Sequence, residues 1–87
     1  MQPISRFETR LNDLRAITKL RALVANLLLR VRFLDADIKD EEQRKGIFDV
    51  TDVAYPLLAQ NLRARRDNLL ATIRVLERQL PQTDMVA

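Results

Sequence analysis

The chain has no cysteine and no histidine, and only one glycine and three prolines in 87 residues. Without cysteine there is no disulfide frame, no thiolate metal site and no thiol nucleophile. Without histidine, the commonest general base and metal ligand at neutral pH is missing. Scarce glycine and proline beside a hydrophobic content of 47% argue against a turn-rich β architecture and for an all-α chain. The length, residues 1–87, is that of one domain, near the size where a single core is only marginally stable and association helps.

Long apolar runs are lacking too. The greasiest stretch, Leu23 to Leu29, is interrupted by Asn26 and closed by Arg30, far short of the roughly 20 residues a membrane span needs. The basic, amphipathic start contains Glu8 and Asp13, which fit an organellar targeting peptide poorly, and no signal-type apolar run opens the chain. The expected setting is the cytoplasm, soluble and reducing. Twelve arginines against three lysines suit a GC-rich bacterial source.

What the chain does have is helical periodicity. Ile4, Phe7, Leu11, Leu14, Ile17, Leu20, Val24, Leu27, Val31, Leu34 and Ile38 recur in steps of three and four, the seam of a helix packed lengthwise against others. Two steps of three around Leu14 shift the phase there. A first helix is expected over about 3–45, ended by Gly46 after Arg44 and Lys45, which suit the negative end of the helix dipole. A turn over 46–51 follows, with Ile47 and Phe48 either plugging the end of the bundle or standing out as a docking knob.

The second helix is expected over about 52–80, capped by Thr51 or Asp52, with Pro56 in its first turn. A start at Asp49 is the rival, with Phe48 and Val53 as a hydrophobic staple. Its seam reads Tyr55, Leu58, Leu62, Arg66, Leu69, Ile73, Leu76 and Leu80, and Pro81 ends it. Arg66 either packs its stem and turns its head to solvent or meets an acid of a second chain. Residues 81–87 read as a frayed tail.

So short a connection makes the helices antiparallel. Leu34 then lies near Leu62, Leu27 near Leu69 and Ile17 near Leu80. The second helix runs out while the first continues, so Ile4, Phe7, Leu11 and Leu14 need cover from another chain, or from a tail carrying Met85 and Val86. A further apolar line, Ala22, Ala25, Asn26, Leu29, Phe33 and Ala36, lies about half a turn from the seam. A helix apolar on opposite faces is a buried central helix. Asn26 either fixes register within that line, as single polar residues do in coiled coils, or is an ordinary half-exposed side chain. The expected architecture is an antiparallel helical hairpin that pairs into a dimeric four-helix bundle.

Charge is segregated. Residues 5–34 carry +5, residues 35–52 carry −4 and residues 53–80 carry +3. In an antiparallel pair of hairpins the acidic tip of each would lie along the basic start of the other. The arginines Arg63, Arg65, Arg66 and Arg74 form a second candidate site, for nucleic acid or another polyanion. No aromatic residue lies among them to stack bases. A peripheral membrane contact through Phe7, Leu11 and Leu14, flanked by Arg6, Arg10 and Arg15, is a third class.

Catalytic and metal readings find little to stand on. Asp35 to Gly46 has Asp40 where a calcium loop needs glycine and Gly46 where it needs glutamate, so Asp35, Asp37, Asp40, Glu41 and Glu42 read as a solvated acidic tip. Di-metal bundles need histidine. The one serine, Ser5, has no base in prospect, and no glycine-rich phosphate loop is present. The function expected is therefore a non-catalytic interaction module, an adaptor, chaperone-like or assembly subunit, with no cofactor. Its partner is a second copy or another helical protein, through Ile4, Phe7, Leu11, Leu14, Ala22, Ala25, Asn26, Leu29 and Phe33.

Overall fold

A computed structural model describes residues 6–81 of the chain, and its side chains from Arg10 to Pro81. Two helices pack antiparallel: α1, Arg6–Lys45, and α2, Leu57–Arg78. No strand occurs among the described residues. At 1.5 Å per residue α1 is about 60 Å long and α2 about 33 Å, so the molecule measures 64 × 36 × 17 Å. Its radius of gyration, 19.6 Å, compares with about 12 Å for a compact domain of this length. The hairpin is a rod one layer of helices thick.

The helix packing follows from the seam. Val24, Leu27 and Val31 of α1 and Ile73 of α2 form a buried cluster, flanked by Leu69, Leu70 and Leu76. Ile38, Tyr55 and Ala59 are buried nearer the turn. The phase shift near Leu14 does not interrupt α1, which stays helical through it. Gly46 ends α1 with φ +70°, a left-handed conformation that glycine adopts without a Cβ penalty. Its N–H donates to Glu42 O at 2.8 Å, and Arg44 and Lys45 occupy the last turn.

The second helix starts later than its sequence suggests, at Leu57 rather than about residue 52, and the turn lengthens to 46–56. Thr51 and Asp52 do not cap it. Instead the Asp49 carboxylate accepts from the Thr51 N–H and hydroxyl at 2.9 and 2.7 Å, which holds it below the usual carboxylate range. Asp52 Oδ1 accepts from Ala54 N–H at 2.8 Å. Both acids thus serve turns, as Asx residues do. Pro56 sits at the N-cap with ψ 130°, because a helix begun at 52 would drive its ring into the preceding turn. The residue before it, Tyr55, is likewise disfavoured in helical conformation.

Tyr55 therefore lies in the turn, not on α2, and it closes the end of the hairpin. It is buried, and its hydroxyl donates to Glu42 Oε2 at 2.7 Å. Arg63 approaches the same oxygen at 3.9 Å. Phe48, by contrast, is 60% exposed and does not plug the bundle, while Ile47 is half-buried. The acidic tip is not wholly solvated either. Glu41 and Glu42 are buried, with Arg44 reaching Glu41 Oε2 at 3.7 Å. Glu41 thus has a partner at helical spacing, whereas Glu42 gains Tyr55 and Arg63, which helical spacing alone does not reveal.

Burial, then the Glu42 hydrogen bond, push the Tyr55 phenol above its ordinary value of 10.0. A raised folded value means this contribution is complete below pH 10 and is lost as pH climbs through the raised value. Tyr55→Phe removes this hydrogen bond from the buried Glu42 carboxylate, leaving it the longer contact with Arg63, and should cost about 1–3 kcal/mol. In thermal melts the wild type should lose its advantage over Tyr55→Phe on raising the pH past 10. Equal melting temperatures at pH 7 would refute the role given to this bond.

Candidate functional site

The part of α1 turned away from α2 is the most unusual surface of the molecule. Leu14, Thr18, Ala22, Ala25, Leu29, Phe33 and Ala36 follow one another in steps of four, four and three, repeated, and all are exposed. Leu14 is 60%, Leu29 51% and Phe33 61% accessible. Such an eleven-residue repeat departs little from the 3.6-residue turn, so the line runs nearly straight along the helix. At about 100° per residue it lies roughly 150° from the buried Val24, Leu27 and Val31. A second straight helix can lie along its whole length.

The candidate contact residues divide as follows. Ala22, Ala25, Asn26, Leu29 and Phe33 are all exposed, with Asn26 at the edge of the line. Leu14 is exposed and Leu11 half-buried. Ile4 and the side chain of Phe7 lie outside the described residues. Beyond the end of α2, Ile17 lines a shallow groove with Ala16, Leu80 and Pro81, so the intramolecular pairing reaches about that level.

The candidate anion-binding arginines do not form one cationic face. Arg66 donates to Asp35 Oδ1 at 3.0 Å and to Asp67 Oδ1 through both Nε and Nη2. Its side chain is 19% exposed, and the hydrogen bond to Asp35 raises its affinity for its proton further. Arg66 thus pairs with acids of its own chain. Arg63 is drawn toward Glu42. Arg65 and Arg74 are exposed.

The sequence reads Asp35 as part of a solvated acidic tip, yet this acid follows seam residue Leu34 and lies opposite Arg66, the one charged seam residue of α2. A further feature is legible only in three dimensions. Arg30 and Arg65 flank an open groove with Phe33, Leu34 and Leu69, an apolar floor between cations. A second groove joins Asp37, Asp40, Glu41 and Arg44 to Leu58 and Leu62.

No group of three or more potential metal ligands occurs among the described residues, and none of their helices is long and apolar enough to cross a membrane. The arrangement offers helix-packing surface. If Arg66 serves α1 and not an anion, Arg66→Ala should lower thermal stability while leaving any salt-sensitive retention on heparin unchanged. Lost retention with unchanged stability would give Arg66 to a ligand. No protein-family model matches the chain, and neither curated proteins nor solved structures show significant similarity to it.

Proposed function

We propose that the chain is a non-catalytic interaction module, an adaptor, chaperone-like or assembly subunit, that works by packing the uncovered side of α1 against helices of another chain. When that chain is another hairpin, the product is a four-helix bundle. The observation behind this reading is the imbalance of burial. Among the described residues seven hydrophobic ones are buried, whereas eleven large ones are exposed. Three of the exposed ones, Leu14, Leu29 and Phe33, share a single line.

Burying a leucine or phenylalanine contributes about 1.5–3 kcal/mol, so these three alone hold a substantial fraction of the ~5–15 kcal/mol that stabilises a typical domain. Covering them by association is a far larger gain than surface ion pairs offer, at about 0–1 kcal/mol each. Polyanion binding through the arginine shaft is the weaker reading, since Arg63 and Arg66 already serve α1.

Leu29→Asp tests the proposal. Leu29 lies outside the buried cluster, so the hairpin should stay helical by circular dichroism. Association, read by light scattering, should weaken at least about a hundredfold, because a symmetric interface loses the leucine twice. An unchanged solution mass would remove the α1 line from the interface.

A further inference from the structure

The two ends of the exposed α1 line carry opposite charge along the same edge. Arg15 and Lys19 lie beside its first half, Asp37 and Asp40 beside its second, and all four are exposed. At about 100° per residue they project within a sector of roughly 60°, next to Leu29 and Phe33. Asp40 is held only by an exposed pair with Arg44 at 3.2 Å, which leaves its second oxygen open to another cation.

We propose that the occupant of this line is a second copy of the chain, packed antiparallel about a two-fold axis between Asn26 and Leu29. Arg15 of each copy then faces Asp40 of the other, and Lys19 faces Asp37. This rests on the reading of α1 as a helix-packing surface and specifies its partner, sense and register.

The argument is one of self-complementarity. In an isologous contact, if one residue meets another across the axis, the reverse contact must exist as well. The pairs Arg15 with Asp40 and Lys19 with Asp37 are centred at Leu27 and Leu28. So is the pair Ala22 with Phe33, which sets a small side chain opposite the largest one in the line, as interdigitating layers require. So is Asn26 with Leu29. Charge thus selects this register, and the pairing of Ala22 with Phe33 is compatible with it. A parallel pairing would bring basic start beside basic start and acidic end beside acidic end.

The other edge of the line works against the dimer, because Arg21 of one copy faces Arg32 of the other. By symmetry there are two such contacts and four attractive ones, so the attractive edge sets the orientation. Since α2 lies about 150° from the line, the two α1 helices become the inner pair of the assembly and the two α2 helices its outer members. The four-helix assembly is then closer to a layer than to a square bundle.

Charge reversal tests sense and register together. One variant carries Arg15→Glu and Lys19→Glu, a second carries Asp37→Lys and Asp40→Lys, and a third carries all four changes. Wild type should be dimeric by light scattering at micromolar concentration. Each double variant alone should dimerise at least tenfold more weakly, an equimolar mixture of the two should restore a heterodimer, and the fourfold variant should dimerise as wild type does. Double variants that dimerise as tightly as wild type would overturn the register while leaving self-packing in place. A fourfold variant that stays monomeric, with its helicity intact, would do the same. A monomeric wild type would overturn the second copy as occupant altogether.

Discussion

A helix can be covered on one side by one antiparallel neighbour, and everything distinctive about this molecule follows from α1 having apolar residues on two sides, of which α2 covers one. Its seam meets α2 through Val24, Leu27, Val31 and Ile73. The line through Leu14, Leu29 and Phe33 stays exposed. Had α2 matched α1 in length, with polar residues at Ala25, Leu29 and Phe33, the hairpin would be self-contained. Instead the chain is a rod with a narrow seam and an apolar back.

The electrostatics serve that geometry at two levels. Inside the hairpin, acids of α1 are consumed by the arm that returns to them: Glu42 by Tyr55 and Arg63, and Asp35 by Arg66. These contacts fix the rotation of the helices about each other, because each side chain must reach a specific partner. Asp37 and Asp40 remain exposed at the side of α1, beside a groove that reaches Leu58 and Leu62 of α2. Arginine in this chain therefore has divided duties, and a count of basic residues overstates the charge available to an outside anion.

Much of the fold is legible in the residues. The three-and-four spacing marks both helices, Gly46 marks the stop, and the fold-back places Ile17 beside Leu80, which share a groove. The exposed back of α1 follows from the same spacing at Ala22, Ala25, Leu29 and Phe33. What is not legible depends on competition between local options. Asp49 and Asp52 suit a helix cap as well as a turn, and the backbone restriction at Tyr55–Pro56 decides in favour of the turn. Tyr55 rather than Phe48 closes the end, because its hydroxyl gives the buried Glu42 carboxylate a hydrogen bond that a phenylalanine could not. Glu42 reads as solvated because its partners, Tyr55 in the turn and Arg63 on α2, lie more than a dozen residues away along the chain.

Thermal unfolding across a dilution series goes most directly to the claim that one hairpin leaves α1 half-covered. An assembly that folds by association gains stability with concentration, so the midpoint should rise steadily from the most dilute sample to the most concentrated. A midpoint that does not move, at a solution mass of 10.1 kDa, would mean that the single hairpin is complete as it stands and that the apolar back of α1 needs no partner.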